Sequence, residues 1–373
     1  MKRLLLFLFL GSLFSACMKS VSITSMRPAV INISSDIQTV VLVDRTKYEK
    51  EGLAILEGIL TGEGINEDRD GVLALFSSLQ NNLRNSPRFT VKQEPQRLLG
   101  NSLTGSFPEP LSWRIVEDLG RRNAADAVLA VEVFDSDFIL TNGKRKKTRI
   151  VKDTAGKELE EEYIEYYAEG IAGVRIGIRL YNIQARSIED QDLYSENRTW
   201  ETTAASLKEA MSKMVQKSQA TKSLGGNIGA IYASKIAPMP VYLSRTYYYK
   251  PKKNTYISRG DRQASVNNWE DAITSWKTGM RKSDDSKIMG RMAYNIALGY
   301  EVLGDFESAK DWAAAAYVDY GEKKGQAYAR TLQYRIEQEA IVNDQMSLPE
   351  QSLSPQQDRL NPEPIKLNIK PKN

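Results

Sequence analysis

Between residues 37 and 134, strand-like and helix-like segments alternate at short spacing, and this order constrains the fold more than any other feature. Residues 37–46 form a β-branched run long enough for one buried strand. Helical periodicity follows over residues 71–86 and 111–120, and apolar strand patterns begin at Phe89 and Ala127. A β-α-β-α-β order packs helices against a sheet, so this region predicts a small α/β layer structure.

Apolar spacing in the two helices predicts which side chains face the sheet. In both, large apolar residues recur at intervals of three and four, which places them on one helical face. The predicted inward residues are Val72, Leu75, Phe76, Leu79 and Leu83 in the first helix, and Trp113, Val116 and Leu119 in the second.

Longer strands are predicted after residue 134. Residues 148–167 read as two strands joined by a turn at 154–156, and residues 173–182 alternate apolar and basic side chains. Residues 188–202 are expected to pair back on that strand, and helices are predicted at 204–219 and 226–236. The basic segment from Lys144 to Arg149 is interpreted as a solvated hairpin tip, which the acidic strand opposite neutralises. Contact with acidic lipid headgroups or an acidic partner is the alternative.

The order of elements over residues 36–240 resembles the α/β domains of CsgG-type and LpoB-type lipoproteins and the TolB amino-terminal domain. The resemblance is carried by a helix ending "NSPRFTV", a second helix leading into "AADAVLAVEV", and the later strand "VRIGIRLYN". It implies an envelope location and non-enzymatic work, as a secretion pore, an activator of a penicillin-binding protein or a partner in an envelope complex.

Residues 295–317, "NIALGYEVLGDFESAKDWAAAAY", resemble a tetratricopeptide helix pair with its turn at Gly304 and Asp305. A weaker unit precedes it at residues 267–280, and a helix over 325–342 is predicted to cap the stack. The resemblance implies small or packing residues where the helices cross, namely Ile296, Ala297, Tyr300, Ala309, Ala313 and Ala316. It also implies a peptide-binding groove lined by Arg291, Tyr294, Asn295, Leu298 and Glu301. Leu298 stands where a carboxylate-clamp Asn is expected, which argues against capture of a C-terminal carboxylate, and a self-capped stack with a solvated face is the alternative.

The amino terminus predicts export and lipid attachment. Lys2 and Arg3 precede an apolar run over residues 4–13, which is too short to span a bilayer, and Cys17 is the only cysteine. The stretch "LFSAC" resembles a bacterial lipobox, with Phe14 departing from the usual aliphatic residue. The resemblance implies acylation of Cys17 and, because no acidic cluster follows it, an outer-membrane protein facing the periplasm. The whole layout also resembles a Bacteroidota lipoprotein family with C-terminal tetratricopeptide repeats.

Composition narrows the possible chemistry. The chain has no histidine, so triads that need imidazole and zinc sites built on it are excluded, and acylation of Cys17 leaves no thiolate. Residues 66–71 resemble the start of a calcium loop, but Ser77 stands where a bidentate Glu is required, and a turn with Asp70 capping the next helix is expected instead. The chain has 51 basic and 47 acidic residues, which gives no long-range attraction for nucleic acid.

Two further segments suggest hypotheses about function or packing. Asp135 and Asp137 follow an apolar strand and share one strand face by alternation, so they are the pair to consider for a carboxylate-based, glycan-active enzyme. Residues 242–249 hold Arg245 and three consecutive tyrosines, which predicts an interdomain packing strip; a polysaccharide or peptide contact is the alternative.

Taken together, the sequence predicts an α+β protein acting by binding and not by catalysis, with no cofactor or metal. The predicted parts are a signal peptide (1–16), a lipidated terminus and spacer (17–35), an α/β domain (36–250), a tetratricopeptide-like domain (251–343) and a disordered tail (344–373). The expected function is a membrane-anchored scaffold that binds a protein or peptide. An oligomeric assembly or secretion factor is the alternative.

Overall fold

The computed structural model describes residues 18–46, 67–98, 100, 106–152, 154, 156–250 and 254–347. The chain is an α+β protein, as the sequence predicts, with a sheet-containing amino-terminal part and a helical carboxyl-terminal part. Among the described residues, no helix has the length and apolar character needed to cross a bilayer.

The amino-terminal part contains seven strands and four helices among the described residues. In chain order they are β1 (Met18–Arg27), β2 (Thr39–Asp44), α1 (Glu67–Asn85), β3 (Thr90–Gln93), α2 (Trp113–Asn123), β4 (Ala127–Lys152), β5 (Glu158–Asn182), β6 (Ser187–Ala204), α3 (Leu207–Lys213), α4 (Lys217–Ile236) and β7 (Met239–Tyr248).

Five of these strands form one mixed sheet in the order β3-β2-β4-β5-β6. β2 runs parallel to both β3 and β4, whereas β4, β5 and β6 are antiparallel neighbours. The predicted pairing of two strands on either side of residues 154–156 and the return strand predicted at 188–202 are thereby confirmed.

Helices cover both faces of the sheet. α1 and α4 pack on one face, and α2 packs on the other against Val41, Val128 and Tyr181. All the side chains predicted to face inward are buried, except for Trp113, which is half-buried. α1 and α4 approach closely, since a Cβ placed on Gly225 would lie 2.6 Å from the Gly71 carbonyl oxygen. Glycine is therefore required at this crossing.

The single helix predicted over residues 204–219 is instead two helices. α3 ends at Lys213, the chain is extended at Met214, and α4 begins at Lys217. Ser206 caps α3 by accepting from the Glu209 amide, and Val215 packs against the main core. Val215 lies at the break and is partly buried, and helical periodicity alone does not reveal this interruption.

β4 and β5 form a hairpin that is much longer than the rest of the sheet. Residues 143–152 of β4 pair with residues 158–167 of β5, and we call this paired segment the arm. At about 3.3 Å per residue, the arm is roughly 33 Å long. The interpretation of Lys144 to Arg149 as a hairpin tip is wrong, because the segment is regular strand. Its predicted neutralisation across the hairpin is confirmed by the ion pair from Arg149 to Glu161.

β1 and β7 form a separate two-stranded ribbon. Each of the ten residues of β1 has a partner in β7, from Met18 opposite Tyr248 to Arg27 opposite Met239. The predicted spacer over residues 17–35 therefore contains a strand, Met18–Arg27. A lone strand pattern of mixed polarity gave no indication of its partner, which lies far along the chain.

The carboxyl-terminal part is a stack of five helices within the described residues. They are α5 (Thr255–Ser265), α6 (Trp269–Arg281), α7 (Ser286–Leu303), α8 (Phe306–Val318) and α9 (Lys323–Met346), and each packs against the next.

Local signals explain where these helices begin and end. Asn254, Asn268, Asp285 and Asp305 cap four N-termini by accepting from backbone amides. Gly304 ends α7 at φ +84°, a conformation that favours glycine. The three alanines predicted at the helix crossing are fully buried in α8.

α9 extends beyond the predicted start of the tail at residue 344. The Gln345 side chain accepts from the Ala29 amide at 2.8 Å and donates to the Ala29 carbonyl oxygen at 3.1 Å. The predicted tail beyond residue 347 lies outside the described residues.

Candidate binding groove

The five predicted groove residues lie on one face of α7, as the repeat alignment implies. Tyr294, Asn295, Leu298 and Glu301 are buried, and Arg291 is half-buried. What buries them is the chain itself, since β7 lies along this face and α9 flanks it. The structure thus brings the predicted set together around a strand of the same molecule.

Asn295 holds the backbone of β7 directly. Its Oδ1 accepts from the Tyr248 amide at 2.8 Å, and its Nδ2 donates to the Tyr248 carbonyl oxygen at 2.7 Å. The amide side chain therefore satisfies both backbone groups of one residue, as a neighbouring strand would. This recognition depends on an extended backbone and not on the identity of the bound side chain.

Glu301 is the charged centre of the contact. Its side chain is fully buried, and its carboxylate accepts from Arg245 of β7 at 3.0 Å and from Arg335 of α9 at 2.5 Å. The Tyr328 hydroxyl also donates to it. Arg335 reaches Ser25 of β1 as well, so one carboxylate links the ribbon, α7 and α9. A buried carboxylate needs such partners to offset its desolvation.

Three tyrosine rings, in edge-on and tilted contacts, pack beside Asn295. The Tyr294 ring lies 5.8 Å from that of Tyr248 and 5.1 Å from that of Tyr328, measured between centroids. Burial raises the pKa of all three hydroxyls above the ordinary tyrosine value. The phenols therefore stay neutral and act as apolar rings with one polar edge.

Cations cluster at the end of the groove where the ribbon begins. The Arg291 guanidinium lies 4.9 Å from the Tyr248 ring centroid, and the Lys324 ammonium lies 5.7 Å from the same centroid. Lys324 also contacts Met18, the first residue of β1. Met18 directly follows Cys17, the predicted lipid site, which itself lies outside the described residues.

In this structure β7 of the same chain occupies the groove that the sequence predicts for a separate peptide. The other alternative, a merely solvated face, does not describe it either. The prediction of an interdomain packing strip over residues 242–249 is confirmed: the Tyr247 hydroxyl donates to Asp261 at 2.7 Å, and its ring packs edge-on against Trp269. Sequence reasoning missed Tyr328 and Arg335, whose only signal is a large polar residue at inward positions of an amphipathic helix.

Ion pairs follow one face of the arm. Arg145 contacts Glu165 at 2.6 Å and Glu201 at 2.7 Å, and its guanidinium lies 5.3 Å from the Tyr167 ring centroid. Arg145 lowers the pKa of the Glu165 carboxyl below its ordinary value. The exposed apolar side chains of the arm are Ile150, Leu159 and Ile164.

A second buried charge cluster supports the sheet. Glu132 of β4 accepts from Arg45 at 3.0 Å and from Arg179 at 2.6 Å. The Tyr181 hydroxyl donates to it at 2.8 Å, and burial raises the pKa of that hydroxyl. All four side chains are enclosed. The two arginines also donate to the carbonyl oxygens of Pro108 and Glu109, so the cluster fixes the segment before α2.

The remaining sequence hypotheses fall on surface positions. Asp135 and Asp137 lie on the same exposed face of β4, as alternation predicts. Asp70 does not cap α1, which begins earlier at Glu67. Asp70 instead accepts from Lys222 at 2.9 Å and from Ser218 at 3.0 Å. Hydrogen bonding from Lys222 lowers the pKa of the Asp70 carboxyl. Within the described ranges, no group of three acidic residues is arranged to hold a metal ion.

Comparisons with known proteins match both parts of the chain. The family model described as "Domain of unknown function (DUF8603)" matches residues 37–248, which is more than half of the chain. A second model, "Domain of unknown function (DUF6340)", matches residues 258–339. The two matches divide at the junction between β7 and the helical stack. No curated protein matches the chain.

Two solved structures align with the chain. A PelC L103M dodecamer from Paraburkholderia phytofirmans is similar at 14% identity and a TM-score of 0.24, over 59% of this chain and 99% of that one. A second PelC dodecamer from the same organism has the same identity and TM-score, over 58% and 99% of the two chains. A TM-score of this size is too low to establish a shared fold.

Proposed function

This chain belongs to the DUF8603 family, and we propose that it is a lipid-anchored, non-enzymatic protein of the outer membrane that binds a partner protein along its arm. The anchor is Cys17, and the partner contributes an extended acidic segment. The observation that carries the proposal is the outer edge of β4, which is basic, exposed and without a strand partner beyond Val131 in the described part of the chain.

The backbone of the β4 edge offers hydrogen-bonding groups to an added strand. β2 pairs with β4 only over Ala127 to Val131, although β4 continues to Lys152. An unpaired edge of this length is a template for another extended chain. Strand addition of this kind draws affinity from main-chain hydrogen bonds and specificity from side chains.

Charge decides which chain fits that edge. In the arm, β4 carries six basic residues: Lys144, Arg145, Lys146, Lys147, Arg149 and Lys152. Arg145 and Arg149 are engaged by glutamates of β5, whereas Lys146 approaches Glu162 only to 3.6 Å, with both side chains largely exposed. Exposed lysines on the strand that forms the open edge favour an acidic neighbouring strand and disfavour a basic one.

The groove of the helical stack explains why the arm is the better binding surface. That groove already holds β7 through Asn295 and Glu301, so a competing peptide would have to displace a paired strand. The arm needs no such displacement. The helical stack then serves to fix the ribbon and, through it, the proposed anchor.

The binding surface is tested with two alternating peptides, one of valine and glutamate and one of valine and lysine, measured by fluorescence anisotropy. We expect the acidic peptide to bind the chain and the basic peptide to fail. Lys144→Glu with Lys146→Glu should abolish binding, whereas the matched control, Lys208→Glu with Lys213→Glu on α3, should retain it. Equal binding of both peptides, or equal loss in both variants, refutes the arm as the site.

The anchor is tested separately by labelled-palmitate incorporation. We expect the wild-type chain to be labelled and to sediment with outer membranes, and the Cys17→Ala chain to lack the label. Labelling of the Cys17→Ala chain, or a wild-type chain free of label, contradicts the anchor and leaves the peptide result standing.

A second candidate function is self-assembly into an oligomeric envelope factor. It is favoured by the acidic end of β5, residues 158–165, which lies beyond the start of pairing between β5 and β6 at Tyr166. This acidic edge of one copy is complementary to the basic edge of β4 in another. Sedimentation velocity tests it: concentration-dependent association that Lys144→Glu with Lys146→Glu removes would support assembly, and a monomer at all concentrations would exclude it.

A further inference from the structure

We propose that Arg291, Lys323 and Lys324 form a site for the phosphate of an anionic lipid headgroup, which we call the Met18 cluster. The site holds the ribbon end of the protein against the membrane surface. This inference rests on the proposed lipidation of Cys17, because that modification brings the cluster to the membrane.

The cluster is built around the first pair of the ribbon. Met18 pairs with Tyr248, and the cations of Arg291 and Lys324 both lie within 6 Å of the Tyr248 ring centroid, at 4.9 and 5.7 Å. Arg291 comes from α7 and Lys324 from the first turn of α9, so two separate helices bring positive charge to one ring. Lys323 is exposed and precedes Lys324 in the first turn of α9, so it adds a third positive charge to this end of the helix.

These cations are not neutralised within the described part of the molecule. Arg291 Nε is buried and has no hydrogen-bond partner there. Glu322 is an acidic residue near the site, and its carboxylate is already engaged, because it accepts from the Lys324 amide at 3.2 Å. Three cations against one engaged carboxylate leave a local excess of positive charge.

The position of Lys323 and Lys324 adds to this excess. Both occupy the first turn of α9, which has no acidic residue. The dipole of a helix makes its N-terminus positive, so the two lysines add to a positive potential that the single N-cap carboxylate of Glu322 offsets in part. Arg291 contributes separately from the helix dipole. Its guanidinium packs over the Tyr248 ring, and its Nε has no hydrogen-bond partner among the described residues.

The distance to the anchor makes a headgroup the fitting ligand. Consecutive Cα atoms are about 3.8 Å apart, and the proposed lipid site at residue 17 is one residue away from Met18, which Lys324 contacts. β1 begins at Met18 without an intervening spacer. Acyl chains on Cys17 would place the phosphate layer of the membrane at the level of these cations.

The test uses the chain from residue 17 onward with Cys17→Ser, which keeps every described element and removes the acylation. Co-sedimentation is measured with vesicles of phosphatidylcholine alone and of phosphatidylcholine mixed with phosphatidylglycerol. We expect binding only to the anionic vesicles, weakening as salt rises. Binding that is equal for both vesicle types overturns the inference.

Variants assign that binding to the cluster. Arg291→Gln with Lys324→Gln should weaken it about 25-fold, since each cation near an anionic surface contributes about fivefold, or ~1 kcal/mol. The matched pair Lys208→Gln with Lys213→Gln should bind as wild type. Exchange of the two cations, Arg291→Lys with Lys324→Arg, should keep binding within a few-fold and so separate charge from folding.

Two other outcomes overturn the proposal. One is unchanged vesicle binding by the Arg291→Gln, Lys324→Gln chain. The other is thermal stabilisation by inorganic phosphate without any vesicle binding, which would identify a free anion as the ligand. Because palmitate labelling of Cys17 is a separate measurement, a labelled protein whose cluster variants bind normally refutes this inference alone.

Discussion

Removal of the Glu301 carboxylate is the most direct test of how the helical stack holds the ribbon. In Glu301→Ala, Arg245 and Arg335 lose their shared anion while remaining between α7, α9 and the ribbon. The Tyr328 hydroxyl loses its acceptor at the same time. The change therefore leaves two guanidinium groups and one hydroxyl without the partner that offsets their desolvation.

The expected cost follows from the burial of these partners. Breaking a buried ion pair by removing one partner typically costs about 3–5 kcal/mol. The Arg245 side chain is 17% exposed and that of Arg335 is 9% exposed, so Arg245 can recover some hydration. We therefore expect the lower end, about 3 kcal/mol, which corresponds to a fall of roughly 1.5 M in the urea midpoint for a slope of about 2 kcal/mol/M.

Urea unfolding followed by tryptophan fluorescence provides the measurement. Trp269, Trp276 and Trp312 all lie in the helical stack, so the signal reports mainly on that part of the chain. Glu307→Ala is the matched control, because Glu307 pairs with Lys310 at 2.5 Å but its side chain is 65% exposed. An exposed pair of this kind contributes about 0–1 kcal/mol.

A compensated variant separates the loss of the anion from the loss of packing. In Glu301→Leu with Arg245→Met and Arg335→Met, no buried charge is left unpaired, and such apolar replacements are often neutral. We expect this triple variant to be more stable than Glu301→Ala. A Glu301→Ala chain as stable as Glu307→Ala, or a triple variant less stable than Glu301→Ala, would refute the role given to this ion cluster.

Three further predictions follow from individual contacts. Burial raises the pKa of Tyr248, so the stability that its neutral hydroxyl contributes is complete below the ordinary tyrosine value of about 10 and is lost as pH rises towards the folded-state pKa. Urea titrations of Tyr248→Phe should therefore show a smaller alkaline decline in stability than those of the wild type. Tyr242→Phe should leave the decline unchanged, because Tyr242 is 79% exposed. Gly260→Ala should lower the free energy of unfolding by about 1–3 kcal/mol, because the added Cβ would lie 2.2 Å from Trp276 Nε1. Gly226→Ala should raise it by about 0.5–1 kcal/mol, because no atom lies within 4 Å of a Cβ at that position. Equal shifts of the melting temperature in the two variants would contradict this prediction. Gln345→Ala should cost about 1–3 kcal/mol, because the Ala29 amide and carbonyl lose their partners; a chain that melts as wild type would show that this contact does not hold α9.

The groove residues show where sequence reasoning reached its limit. The spacing of Tyr294, Asn295 and Leu298 along α7 correctly placed them on one face, because that face follows from helical geometry. The identity of the strand that lies on this face does not follow from helical geometry. β7 lies in the groove through its contacts with α7 and pairs along its whole length with β1, which is distant in sequence.

The basic segment of β4 shows the same limit in a sheet. Its neutralisation by the acidic strand opposite was predictable from composition, but its regular strand structure was not, because clustered charges usually indicate a solvated turn. Pairing of Lys144 with Tyr166 and of Arg145 with Glu165 continues the ladder that the buried part of β4 and β5 begins. Once two strands are in register, each added pair costs less ordering entropy than a new hairpin would.

The sequence by itself determined the α+β class, the buried faces of α1 and α2, the small residues at the α7 and α8 crossing, and the packing role of the tyrosines in β7. These features depend on periodicity and residue size within a single element, so neighbouring positions carry the information. Only the tertiary structure decided that residues 18–27 form a strand, that β7 fills the groove, and that Arg291 and Lys324 meet beside Met18. Each of these depends on which distant segments come together, and that choice is made by the free energy of the whole packed chain.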